Sequence, residues 1–328
     1  MSTRQTTIAR LIVSLILLVS AVWVVFNRTY VVDQLTIWRY PPSKDAAALA
    51  TGSSMNENGK FLFYASRPVV QEREAFNQAC RKHAEKTAIL GCYTERTIHL
   101  YNITDPRLEG IKEVTAAHEM LHAAYERLSD SERKRVDSLI DQAATQVNSP
   151  SIQRKLALYE TTEPGERYNE LHSMLGSEAS NLPAELELYY SRYFTNRLAL
   201  VSLAERYETI FNELEAQQKQ LVSELNALAD EINADNISYE SQVAELQAAV
   251  ESFNKRAANG SFSSESQFNA ERNRLVARQA SLSSFREGII VKIELYDQKK
   301  TELDALNLTA EGLQKSIDSN APAEVPSI

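Results

Sequence analysis

The chain is expected to be mainly α-helical with a small β-sheet, carrying an N-terminal transmembrane helix and a C-terminal antiparallel coiled-coil hairpin. Three observations lead there. Residues 11–26 run without a charge, two short strand-like segments fall at 89–93 and 97–102, and apolar residues recur at three/four spacing through most of 199–316. With 328 residues and 43% hydrophobic content, the chain can fill two modest domains and is neither disordered nor fibrous in composition. A net charge of -9, a pI near 5.3 and the lack of a long Lys/Arg run count against nucleic acid as a partner.

Ile8 and Ala9 extend the uncharged run beyond Arg10, so residues 8–26 approach the ~20 residues needed to cross a bilayer. Arg4 and Arg10 precede the run, and Trp23 and Tyr30 suit its far interface. The positive-inside rule therefore puts residues 1–7 in the cytoplasm and the rest of the chain outside the cell membrane; Arg28 weakens that bias without reversing it. Ser20-Ala21 offers small residues for signal cleavage, but a clear A-x-A site is missing and no Cys is present for a lipoprotein anchor. An uncleaved, single-pass anchor is the preferred reading.

Residues 27–60, with Pro41-Pro42 and Gly52-Ser53-Ser54, read as a juxtamembrane spacer. The globular part is expected over 61–198. It opens on a strand at 61–64 ended before Pro68, then a helix at 71–84 and strands at 89–93 and 97–102. Cys80 and Cys92 are the only cysteines. On the outer side of a membrane they can form a disulfide, the alternative being two buried thiols; without a C-x-x-C spacing neither reads as a zinc ligand.

After Asp105-Pro106, a helix is expected at about 108–128, stopping near Ser129-Asp130, which would cap the next one. It carries His118-Glu119-Met120-Leu121-His122, an HExxH motif. Residues four apart share a helix face, so His118 and His122 can bind one Zn2+ ion, and Glu119 beside it can act as general base. All neighbours from Val114 to Ala117 and from Met120 to Tyr125 are uncharged, as a buried helix requires.

Residues 115–124 resemble the extended zincin metallopeptidase pattern without a mismatch. The resemblance implies an α+β zincin-like core, a peptide or protein substrate, and an edge strand before the metal helix that holds the peptide by backbone hydrogen bonds. Residues 97–102 are the candidate for that edge, an ordinary central strand being the alternative. Further helices are expected at 131–147 and 151–160, then a break at 161–165.

Two histidines leave a catalytic zinc site one protein ligand short. The segment 166–178, read as a short helix, offers Glu170, His172 and Glu178, preferred as ligands in that order. Glu170 resembles the third ligand of the gluzincin branch, a helical Glu followed three residues later by a small residue, here Ser173 with Gly176 beyond. Met174 departs from the frequent Glu-x-x-x-Asp form, and Glu178 is the candidate to supply the missing carboxylate behind a ligating histidine. The metzincin H-x-x-G-x-x-H is absent. Tyr168 and His172 are candidates to stabilise the oxyanion.

From residue 185 the chain is helical again, with an aromatic stripe of Tyr189, Tyr190, Tyr193 and Phe194 read as packing. Phe211, Leu214, Leu221, Leu225, Leu228 and Ile232 form a seam that resumes, after an offset near 233–236, at Val243, Leu246, Val250 and Phe253. Asn259-Gly260-Ser261 breaks it, and Leu275, Leu282, Ile289, Tyr296 and Leu303 line a returning arm. The hairpin of 199–316 would be roughly 50 to 80 Å long at ~1.5 Å per residue, available for a protein partner or self-association. Residues 317–328 read as a flexible tail. A membrane-anchored zinc metallopeptidase is the leading reading; a non-catalytic envelope scaffold and a zinc hydrolase of non-peptide amides are its rivals.

Overall fold

The computed structural model describes residues 3–81, 89–146, 152, 153, 157 and 165–320. Nearly all of the helix expected at 151–160 and the last eight residues lie outside that set. The chain divides into two compact units, Met1–Ile210 with Leu313–Ile328, and Phe211–Gly312. Among the described residues it is mainly helical with one three-stranded mixed sheet.

The first unit begins with α1 (Thr3–Phe26) and α2 (Arg28–Arg39). Leu11–Phe26 of α1 is by itself too short to cross a membrane and no other described helix is long and apolar enough; with α2, bent from it by 88°, it meets the requirement as a pair. Residues 27–60 differ from the expected spacer. After α2 they form α3 (Lys44–Gly52), which buries Ala46, Leu49 and Ala50, and the start of α4 (Glu57–Ala65). Ser43 caps α3 by accepting from the Ala46 N–H at 3.1 Å. Asn56 caps α4 through the Asn58 and Gly59 N–H groups, both at 3.0 Å. The Asn56 cap starts a helix that carries through residues 61–64, where a strand was expected; a four-residue apolar run does not distinguish the two.

The sheet has the order β1-β3-β2, from β1 (Val69–Gln71), β2 (Gly91–Thr94) and β3 (Thr97–Tyr101). β1 pairs parallel with β3, placing Val70 opposite Leu100, and β2 pairs antiparallel, placing Gly91 opposite Leu100. β3 is therefore central, and the expected edge at 97–102 is corrected: three-residue β1, just after Pro68, covers one side of it. Between β1 and β2 lies α5 (Arg73–Ala79), whose C-cap Cys80 is joined to Cys92 of β2 by a disulfide.

A 3-10 turn at Pro106–Leu108 leads into α6 (Ile111–Glu126), the central helix of the unit. Ala116, Ala117, Met120, Leu121 and Ala123 are all fully buried. Small side chains on several sides let the sheet and neighbouring helices approach its backbone together. Ser129 and Glu132 form a capping box at α7 (Asp130–Gln146): the Glu132 N–H donates to the Ser129 hydroxyl at 3.4 Å and the Ser129 N–H to the Glu132 carboxylate at 3.1 Å. Then come α8 (Arg167–Glu178) and α9 (Ala184–Tyr190).

The second unit is an antiparallel hairpin of α10 (Arg197–Ala258) and α11 (Glu265–Ile317), whose feet belong to the first unit. Within it Leu221, Leu225, Phe253, Leu282 and Ile289 are buried. Cross-helix pairs run in opposite directions along the two helices, from Gln218 with Asn307 (2.8 Å) through Asp235 with Lys292 (2.8 Å) to Arg256 with Glu271. The offset near 233–236 leaves α10 unbroken. The tail is held further than expected: Ser319 is buried and its carbonyl accepts from Asn77 Nδ2 at 2.6 Å.

Candidate metal centre

The site is built where α8 crosses α6. A Cβ on Gly176 of α8 would stand 2.4 Å from Leu121 Cδ1 and 2.7 Å from Tyr190 Cε1, so only glycine permits this approach. Ser173, one turn earlier, is fully buried, and one turn earlier still Glu170 is presented to the HExxH face.

There His118 Nε2 and His122 Nε2 lie 3.1 Å apart. Glu170 Oε1 is 3.6 Å from His122 Nε2, and Glu170 Oε2 is 3.8 Å from His118 Nε2. One ligand atom from each residue falls within 4.8 Å of the others. A tetrahedral zinc with ligand bonds of ~2.0–2.1 Å separates its ligand atoms by about 3.3 Å, so the donor set and its spacing fit that ion.

The tautomer of His122 follows from its neighbours. Asn169 Nδ2 donates to Glu166 Oε2 at 3.0 Å, which leaves Asn169 Oδ1 facing His122 Nδ1 at 3.0 Å. Nδ1 must carry the proton, and Nε2 then offers its lone pair to the cluster. Behind His118, Glu178 Oε1 lies 3.9 Å from Nδ1, on the ring side turned away from the cluster. Glu178 thus stands behind a histidine and outside the three-residue group.

Glu119 is buried one residue beyond His118 and packed against β2. A Cβ on Gly91 would come within 2.7 Å of both Glu119 Oε1 and Thr115 Cγ2, so a larger side chain there would push into the carboxyl. Burial raises the Glu119 carboxyl to about 7, opposed by His122 and reinforced by Glu170.

His172 and Tyr168 are not brought to this group. At about 100° per residue, each is some 200° around α8 from Glu170. His172 is fully buried among Tyr125, Tyr189 and Tyr190, with Nε2 2.9 Å from the Tyr189 hydroxyl. Burial, then the His122 charge, lowers its pKa to about 3, with the Leu121 backbone acting the other way. It is a neutral core histidine. The Tyr168 hydroxyl donates to Asp141 Oδ2 at 2.9 Å.

Asn169 and Gly91 are the residues that sequence reasoning missed. The Asn-Glu pair at 169–170 was a signal for the first, since a residue beside a ligand can reach a neighbouring histidine; Gly91 carried none. Asn169→Ala is expected to weaken metal binding at the cluster by ~10–100-fold through loss of His122 orientation, measured by competition with a chelator.

Fold and site together define a mainly helical protein with a buried His-His-Glu cluster that can hold a metal ion. No protein-family model, curated protein or solved structure matches the chain.

Proposed function

We propose that the chain is a membrane-anchored, zinc-dependent metallopeptidase whose site lies outside the cytoplasm. The observation that carries the reading is the convergence of His118, His122 and Glu170 on one point, with the Glu119 carboxyl on the same helix. The Cys80–Cys92 disulfide supports an oxidising compartment. The uncharged run of 11–26 supports an anchor: residues 8–26 span about 28 Å as a helix, close to the ~30 Å hydrocarbon core.

In this reading His118 Nε2, His122 Nε2 and Glu170 hold the ion, while Asn169 fixes the His122 ring. When bound, zinc supplies Lewis acidity towards water and a peptide carbonyl. Glu119 takes a proton from the attacking water and returns it to the leaving amine. Among the described strands β2 has a single partner, β3, and its first residue, Gly91, packs on Glu119. An extended peptide added along the edge of β2 away from β3 would run past the base, which moves the substrate-holding role from 97–102 to 91–94.

Metal analysis of the full chain tests the proposal. About one zinc per chain is expected in the wild type, lost in Glu170→Ala and retained in Glu178→Ala. A folded wild type that takes up no zinc when the ion is supplied would remove the reading.

A further inference from the structure

We infer that α2 is an interfacial membrane helix, lying flat on the phospholipid surface into which α1 inserts and holding the metal-binding helix at a set height above it. This rests on the anchor reading of α1 and is independent of the peptidase reading.

The first observation is the division of α2 into two faces. Asp33 is 1% exposed and faces inward. Taking about 100° per residue, the exposed Leu35 and Trp38 fall within roughly 40° of the direction opposite Asp33, with half-buried Val31 between them and Arg28 and Arg39 at the margins of that face. Leu35 is 57% exposed and Trp38 84% exposed. An indole and a branched aliphatic flanked by two arginines make the pattern of a helix lying at a headgroup boundary, where indole rings settle and guanidinium groups meet lipid phosphates.

The second observation is geometric. α1 exposes Leu11, Ile12, Val13, Leu15 and Ile16 in succession, hence on all sides, as a helix surrounded by lipid does. The chain turns through 88° between α1 and α2. If α1 runs along the bilayer normal, α2 runs in the plane of the surface. The Tyr30 ring joins the corner, 6.5 Å from Trp23 of α1 and 5.5 Å from Phe61 of α4.

The inward face fixes what the membrane would orient. Arg127 Nε donates to Asp33 Oδ2 at 2.9 Å and Arg127 Nη2 to Asp33 Oδ1 at 3.1 Å, while Arg96, in the β2–β3 turn, pairs with the same carboxylate. Arg127 also donates to the Ala123 carbonyl at 2.8 Å, so it is part of the α6 terminus. His122 lies five residues earlier, about 7.5 Å along the helix. A flat α2 therefore keeps the His118–His122 face of α6 near the bilayer surface.

Chain-wide there are two tryptophans, Trp23 in α1 and Trp38 in α2, which makes the test direct. The full chain is reconstituted into phosphatidylethanolamine/phosphatidylglycerol vesicles containing lipid brominated near the glycerol end of its acyl chains. Trp23→Phe leaves Trp38 as the reporter, and Trp38→Phe leaves Trp23. Quenching of both is the expected result, with Trp38 quenching reduced when Leu35→Asp is added and circular dichroism unchanged. Trp23 quenched with Trp38 unquenched would overturn the interfacial helix and leave the anchor standing. Quenching of neither would overturn the anchor and this inference with it.

Discussion

Glu119→Gln is expected to lower peptide hydrolysis by on the order of 10² to 10⁴-fold while leaving the zinc content unchanged. The amide fills the same space against Gly91 and Thr115, so the packing of β2 on α6 is kept. It belongs to none of the three residues whose ligand atoms converge, so the ion is still held. What it loses is the ability to take a proton. Digestion of an unfolded-protein mixture, read by mass spectrometry for wild type and variant at equal zinc loading, checks the result. Activity in the wild type that survives the substitution would assign the proton transfer elsewhere. No activity in either, with zinc bound, would favour a structural metal in an envelope scaffold.

Asp33→Ala is expected to destabilise the first unit by about 3 to 5 kcal/mol, the cost of leaving a buried guanidinium without its carboxylate. The Arg127 side chain is 9% exposed and cannot regain water by a small movement, whereas the Arg96 side chain, at 37%, can. The loss therefore belongs mainly to the Arg127 pair. Chemical denaturation of the full chain in detergent measures it, and pairing Asp33→Ala with Arg127→Met should recover a large part because the stranded charge is gone. A change below about 1 kcal/mol, the level of an exposed pair, would show that α2 is not locked to α6.

The helices were legible where their signals are local. The HExxH helix could be read because an i, i+4 pair inside an uncharged run specifies both a face and its burial. Glu170 could be placed because a glutamate, a small residue three on and a glycine three further describe one side of a helix. The hairpin was legible because its seam repeats many times, so that an exposed Val250 does not obscure it. Residues 61–64 were not, since a short aromatic run suits a strand or a buried helix equally, and the cap at Asn56 decides the matter from outside the run.

By itself, the sequence determined those properties that follow from spacing along one helix: two histidines on one face with a carboxylate between them, an unbroken apolar N-terminal run, and two long amphipathic arms joined by a breaker. Only the tertiary structure decided which side chains meet across elements. It put Glu170 in the cluster and turned His172 into the aromatic core, made β3 central by laying β1 beside it, brought Asn169 to His122, and drew Asp33 from the supposed spacer to Arg127. The physical reason is common to all four. Helical periodicity is a property of one segment, whereas strand order, the crossing of α6 and α8, and a buried ion pair depend on how distant segments exclude water together.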